Sequence, residues 1–289
     1  MKREIVDLHT HSVYSDGCNT PEEILNMAIS KGVTTLAITD HDFIEGSKEL
    51  VRINQGRIDI YSGVELTIKS DTGRMHLLGY NIDLDNPQLN KVLLKQREDG
   101  IYNVLLYIEV LKKDFNLFIP NEEIDKMLSI KGNVGRPQLA ILLVKLGYCK
   151  DVEEAFQKYL IYAYEKVRKI KKGITEEEGI ELIKNANGVP ILAHPNSLKK
   201  SYKELKEKII YLKSVGLQGL ETTHPNLNME ERYIYSEFAK ELNLLESGGS
   251  DFHGIEVKPD VELGRGRNNN FYIPKNTLTL TKKIKSRYW

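Results

Sequence analysis

Apolar positions along the chain change rhythm twice, and the changes divide it into three stretches. In the first, residues 4–8 (EIVDL) read as a short strand that enters a turn at Ser15–Gly17. Thr20-Pro21-Glu22-Glu23 opens a helix: the threonine caps it, the proline suits its first turn, and the two acids face the positive end of its dipole. Ile24, Leu25, Ala28 and Ile29 keep helical spacing until Gly32. TTLAIT (34–39) predicts a buried strand, a helix follows near 46–56, and IDIYSGVEL (58–66) predicts one further strand. A hairpin turning at Asp71-Thr72-Gly73 brings RMHLLGY (74–80) back.

Pro87 marks the first change. Segments 89–113, 121–129, 137–147 and 151–164 all place apolar residues three and four apart, with no strand-like run between them. After Lys172-Gly173 the alternation resumes: helix 175–186, strand 189–193, helix 202–214, strand 217–221, helix 229–242, strand 244–247. Repeated strand–helix units predict a parallel sheet or barrel, with 88–172 inserted as a helical block.

Composition narrows the classes. A chain of 289 residues suits two domains or one barrel with an insertion. Lys plus Arg and Asp plus Glu both number 41, so net charge advertises neither a nucleic acid nor a membrane surface. Two distant cysteines, Cys18 and Cys149, and an N-terminus too polar for a signal peptide predict a reduced, cytoplasmic protein. No apolar run reaches the length of a membrane span.

The chemistry lies at the strand ends. His9 and His11 follow the first strand, and His41 follows the second. Glu65 ends the third, and His76 sits on the returning hairpin. His194, His224, and Asp251 with His253 follow the last three strands. None of the seven histidines falls in the helical block. Any one of them alone reads as an ordinary loop residue. Together, mixed nitrogen and oxygen donors predict a shared site for Zn, Mn or Fe. Three carboxylates (Asp16, Glu65, Asp251) and six imidazoles exceed what one ion takes, so two or three ions are expected. Clustered ions suit phosphate-ester hydrolysis, whose uncatalysed barrier is very high.

DLHTHSVYSDG (7–17), ITDHD (38–42), GVEL (63–66), HLLGY (76–80), GRP (135–137), ILAHP (191–195) and SGGSDFHG (247–254) resemble the PHP (polymerase and histidinol phosphatase) superfamily, most of all its stand-alone phosphoesterase branch. The resemblance spans roughly residues 3–265. It implies an α/β fold, a distorted (β/α)7 barrel whose two parts, 1–87 and 173–289, flank a small helical lid, 88–172. It also implies nine metal ligands in three groups: His9, His11, Glu65 and Asp251; Glu65, His76 and His194; Asp16, His41 and His253. A metal-bridging hydroxide held by Glu65 and Asp251 would be the nucleophile. The implied substrate is a phosphorylated small molecule, nucleotide or short oligonucleotide, such as a nucleoside 3′,5′-bisphosphate losing its 3′-phosphate. No membrane and no obligate protein partner are implied. A histidinol-phosphate-type phosphatase, a non-catalytic metal-binding module and an amidohydrolase are the competing readings.

Outside the metal set, Arg136 is expected to hold a substrate phosphate, and His224 to bind substrate or supply an acid. Asp40 and Asp42, flanking His41, either orient that imidazole or form turns. Cys18 reads as a small loop residue, and Leu263–Arg267 lacks the lysine of a phosphate loop. The basic runs Lys166–Lys172 and Lys282–Arg287 read as solvated faces, and Tyr159, Tyr162 and Tyr164 as packing between helices.

Overall fold

The computed structural model describes residues 4–70, 74–130, 132–270, 272–274 and 278–287. The expected hairpin turn at 71–73 lies outside them. The chain runs β1 (Ile5–Asp7), α1 (Pro21–Ser30), β2 (Val33–Leu36), α2 (Glu45–Asn54), β3 (Asp59–Ile60), β4 (Gly63–Ile68) and β5 (Met75–Tyr80). The start of α1 is set as the sequence predicts. The Thr20 hydroxyl accepts from the Glu23 amide, and the Glu23 carboxylate accepts from the Thr20 amide at 2.8 Å.

The single strand expected over 58–66 is two strands. The Tyr61 amide still bonds to Leu36 on β2, but the Ser62 hydroxyl donates to Ile82 O, beyond β5. The chain thus crosses from one sheet to another at 61–62. Gly63 permits the crossing, because a Cβ there would stand 2.7 Å from the Thr39 methyl.

Past the helical stretch come α8 (Glu176–Asn185), β6 (Val189–Leu192), α9 (Tyr202–Ser214), β7 (Gly219–Thr223), α10 (Met229–Glu241) and β8 (Leu245–Gly248). Strands β1, β2 and β3 form one parallel sheet. Strands β4 to β8 form a second sheet in sequence order. There β5 is antiparallel to both neighbours, and β6, β7 and β8 are parallel. The fold is therefore mixed α/β with two principal sheets, and among the described residues no one sheet closes on itself. Backbone bonds join the two: Leu8 N–H to Gly248 O at 3.2 Å and Asp42 N–H to Glu65 O at 2.9 Å. The Leu263–Arg267 segment turns a short hairpin, β9 (Val261–Glu262) against β10 (Gly266–Arg267), and its Gly264 amide donates to Asp7. No helix among the described residues is long and apolar enough to cross a membrane.

The helical stretch comprises α3 (Pro87–Asp114), α4 (Asn121–Leu128), α5 (Arg136–Lys145), α6 (Val152–Ala155), a π-helical turn at Phe156–Leu160, and α7 (Ile161–Val167). It has its own core, in which Val104, Leu111, Leu139, Leu143 and Leu160 are all fully buried. The first turns of α3 belong elsewhere: Leu89 and Leu93 pack into the core under the second sheet. The helical core thus begins inside α3, near Val104. Asp42 ties the unit down, accepting from Gln96 Nε2 at 3.3 Å and Asn133 Nδ2 at 3.4 Å. Gln138 also donates to Ser15 O at 2.9 Å.

Because the helical unit has a core of its own, Leu111→Ala should cost about 2–5 kcal/mol of that unit's stability. Circular dichroism should show a helical transition preceding the main melt. One transition with the wild-type midpoint would contradict a separate core.

Candidate metal centre

Backbone ladders continue past the strand ends and carry the chemistry with them. Asp251 N–H donates to His9 O and His11 N–H to Phe252 O, both at 2.8 Å. Thr39 N–H donates to Thr10 O at 2.8 Å, and Ala193 N–H to His76 O at 3.1 Å. Strand β5 runs backwards, so its first residues, including His76, lie at the end where the parallel strands finish. Gly249 lets the chain after β8 lie against His9, since a Cβ there would stand 2.3 Å from the His9 amide nitrogen. Two site residues carry left-handed backbone at non-glycine positions: His194 at φ 25° and Asp251 at φ 52°.

Glu65 is at the centre, 1% exposed. Its Oε2 lies 3.2 Å from a nitrogen of each of His9, His11 and His41. Its Oε1 lies 2.8 Å from His76 Nδ1 and 2.8 Å from His194 Nε2. Asp251 Oδ1 lies 3.6 Å from His9 and 3.4 Å from His11. Asp16 approaches His253 at 3.2 Å and His41 at 3.7 Å. All nine residues expected as ligands thus meet in one place, and among the described residues they form overlapping groups of three and four donors.

The charges suit cations. Burial raises the Glu65 carboxyl, but His41, His76 and His9 outweigh it and hold it well below the carboxylate range. Asp16 is depressed likewise, with His253 and His41 overcoming burial. Burial pushes His41 down to about 3 and His76 to about 4, which favours the neutral form that ligates. Ring nitrogens His11 Nε2 and His41 Nδ1 are buried and face Glu65 without making a hydrogen bond. Orphaned ring nitrogens beside carboxylates fit a divalent transition ion.

Three residues that sequence reasoning did not single out support the set. Glu221 on β7 accepts from His9 Nδ1 at 2.8 Å and from the His194 amide at 2.7 Å, fixing two ligands at once. The sequence carries a signal for it: an acid inside the apolar run LQGLE. Asp7, fully buried, accepts from the Ser250 amide and hydroxyl and from the Gly264 amide, locking β1 to the 250 loop. Lys258 reaches Asp251 Oδ2 at 2.6 Å.

Several expectations change. His224 is 1% exposed and does not line the cavity beside the cluster. Its Nδ1 accepts from the Asn226 amide and its Nε2 lies 3.3 Å from Asp251 Oδ2, so it backs a ligand instead of meeting substrate. Asp40 accepts from Ser12 and Ser15 and Asp42 from Thr67, so both shape turns and neither bonds to His41. Cys18 is a half-buried loop residue whose amide bonds to His253 O. In the 166–172 run four cations are exposed, but Lys171 is only 8% exposed and faces the cavity. Tyr159 packs edge-on against Phe115, whereas Tyr164 lines the cavity under Arg136, whose guanidinium carbon sits 4.5 Å from the ring centroid. That cavity, about 290 Å³, lies between the cluster and the helical unit and also receives Arg74 and Phe156.

Replacing the carboxylate behind His9 and His194 should loosen the centre without removing a ligand. Glu221→Gln is expected to weaken metal affinity by roughly 10- to 100-fold in chelator competition. Unchanged affinity would sink that role.

Known proteins agree with this geometry. The PHP domain model matches residues 7–215. The 5′-3′ exoribonuclease Rnm of Escherichia coli K12 is 32% identical over 266 residues, 90% of this chain and 88% of that protein. The 3′,5′-nucleoside bisphosphate phosphatase of Chromobacterium violaceum is 27% identical over 260 residues, 86% of this chain and 87% of that one. A Bifidobacterium adolescentis crystal structure, assigned as a metal-dependent phosphoesterase, superposes with a TM-score of 0.79 at 27% identity, covering 91% of this chain and 92% of that one. The chain belongs to the PHP domain family.

Proposed function

We propose that this protein hydrolyses phosphate esters of nucleotides or short oligonucleotides, taking substrates that carry a second phosphate beyond the one that reacts. That it is a hydrolase of phosphoric esters follows from its family and from relatives that are an exoribonuclease and a bisphosphate phosphatase. The substrate preference rests on one observation: a cavity that joins the carboxylate–imidazole cluster to Arg136. A Chromobacterium violaceum neighbour, an amidohydrolase with TM-score 0.77 at 27% identity, holds a bound sulfate, which favours a site for tetrahedral anions. We also read the two sheets as arcs of a distorted (β/α)7 barrel in which β3 and β4 are one strand broken at the crossing, supported by the backbone bonds that link the sheets, and the helical unit as its lid.

His9, His11, Glu65 and Asp251 would hold one ion, Glu65, His76 and His194 a second, and Asp16, His41 and His253 a third. Such ions supply an acidic bound water and positive charge against the phosphoryl oxygens. The chain's own residues do the rest. Glu65 spans two ligand groups and fixes their spacing. Glu221 keeps the His9 and His194 rings oriented, and His224 steadies Asp251. Arg136, over the Tyr164 ring, offers its fork to a phosphate. The helical unit restricts water above the cavity.

Protein purified without chelator should carry two or three divalent transition ions per chain, and Glu65→Ala or Asp251→Ala should lose metal together with activity. Full occupancy in both variants, by elemental analysis, would remove those ligands from the assignment. The function is tested by a screen with Mn, Fe or Zn over nucleoside bisphosphates, short oligoribonucleotides, histidinol phosphate and an aryl phosphate. No turnover of any ester would overturn it. Arg136→Ala should cost the bisphosphate about 1.5–3 kcal/mol in kcat/KM. The aryl phosphate should lose less, and equal losses would mean that Arg136 serves the reacting phosphate or the fold.

A further inference from the structure

The helical unit meets the sheets at the loops that carry two of the expected ligands. The segment before α5 lies against the chain after β1. Asn133 N–H donates to Tyr14 O at 3.2 Å, and a Cβ on Gly132 would stand 2.2 Å from that oxygen. Gln138 Nε2 donates at 2.9 Å to Ser15 O, on the residue before Asp16. Asn133 Nδ2 reaches Asp42 Oδ2 at 3.4 Å, on the residue after His41. Arg97 on α3 keeps the segment in that place, donating to Ile130 O at 2.7 Å and to Gly132 O at 3.1 Å.

The two loops form one assembly. Asp40 accepts from the Ser12 amide and hydroxyl and from the Ser15 hydroxyl, each at 2.7 Å, so the loop of His41 is stitched to the loop of Asp16. The Cys18 amide donates to His253 O at 2.8 Å and joins a third ligand to them. These three are one ligand group, with Asp16 3.2 Å from His253 and 3.7 Å from His41. His9 and His194 have other supports. Glu221 holds both, and His194 Nδ1 meets the Ser197 hydroxyl at 3.1 Å. The bonds from the segment around α5 thus fall on one ligand group of the three.

We infer that Asn133 and Gln138 are positioning residues for the ion of Asp16, His41 and His253, acting through the Tyr14 and Ser15 carbonyls and through Asp42. Asp16 sits in a tight turn, where the Ser15 and Gly17 amides both donate to Ser12 O, so a shift of the Ser15 carbonyl carries the carboxylate with it. Ligand distances to a transition ion hold to about 0.2 Å, and undocking of the unit would disturb this group before the others. Linkage makes the effect mutual: an ion that steadies these loops also steadies the unit docked on them. This coupling rests on the reading of the group as an ion site. It goes further, since it needs no substrate, and it places no demand on Arg136, Tyr164 or Lys171.

Full-length protein loaded with manganese is stripped by graded chelator, and the ions retained are counted by elemental analysis. Asn133→Ala combined with Gln138→Glu should release one ion at a chelator concentration roughly tenfold lower than wild type does, and the rest at the wild-type concentration. Gln138 Oε1 also accepts from the Gly135 amide at 2.8 Å, at the start of α5. At neutral pH glutamate keeps that acceptor and methionine does not, whereas neither donates to Ser15. The version with Gln138→Met should therefore behave alike, and an effect in it alone would trace to the helix start and overturn the positioning role. So would unshifted release, or an equal shift of every ion. Hydrogen exchange supplies the reverse measurement. Manganese should slow exchange of the α5 amides by about the same factor in wild type and in His76→Ala, and not in His253→Ala. No slowing in wild type, or the same result in both variants, would overturn the coupling. If His253→Ala retains every ion, the group holds none and the positioning role fails, while loss of metal from Glu65→Ala would leave the proposed function standing. Selective release from a protein that hydrolyses no phosphate ester would do the reverse.

Discussion

A carboxylate buried among five imidazoles is the constraint around which this molecule is arranged. Glu65 has histidine nitrogens on both oxygens, at 2.8 Å on one side and 3.2 Å on the other. Its charge is affordable in a protein interior only because those groups, or the cations they hold, surround it. The imidazoles arrive from β1, β2, β5 and β6, so four strands must end at one height. The backbone ladders that run past the strand ends hold them there. Asp7 and Glu221, both fully buried, brace the same end from behind. Misplacing any one strand would strand the carboxylate without partners. The centre is thus a condition on the fold as well as a product of it.

The convergence of these nine residues was legible because histidines and acids recur at strand ends, and the strand pattern located those ends. His76 fits although its strand is reversed, since reversal moves the beginning of that strand to the active end. Glu221 was hidden for the opposite reason. It acts through His9 and His194, and nothing in a local run says that an acid will face a histidine 212 positions away. The break in 58–66 was hidden too, because Tyr61 and Ser62 are as strand-like as their neighbours. Only the need to cross between sheets separates them. Lys171 shows the limit of reading charge by density: it sits in a basic run whose other cations are exposed, and the chain past the end of α7 buries it against the cavity.

Zero net charge conceals two strong and opposite local fields. The metal cluster concentrates carboxylates that stay ionised against burial. Elsewhere the lining of the same cavity carries Lys69, Arg74, Arg136, Lys171 and Lys172 against the two acids Asp42 and Asp99. With ions in the first region, both ends are positive and the space between suits a ligand with anions at each end. The two regions belong to different cores, one under the sheets and one inside the helical unit. The spacing between them is therefore set by how the unit docks, through Asp42, Gln96, Asn133 and Gln138.

That division separates what is constrained in this chain from what is free to vary. The cluster is over-determined: nine donors, braced from behind, with His194 and Asp251 held in left-handed backbone that only firm surroundings maintain. It has little freedom to vary without losing its ions. The helical unit carries no such burden, since its contribution to the cavity is a handful of side chains on α3, α5, α7 and the segment after it. Exchanging a lysine or a tyrosine there changes what the far end of a substrate must look like and leaves the reacting phosphate where it was. Chemistry is fixed by the sheets, and selection is placed where the sequence can change cheaply. In this chain Arg136 and Lys171, both over the Tyr164 ring, are among the residues of the helical stretch that line the cavity.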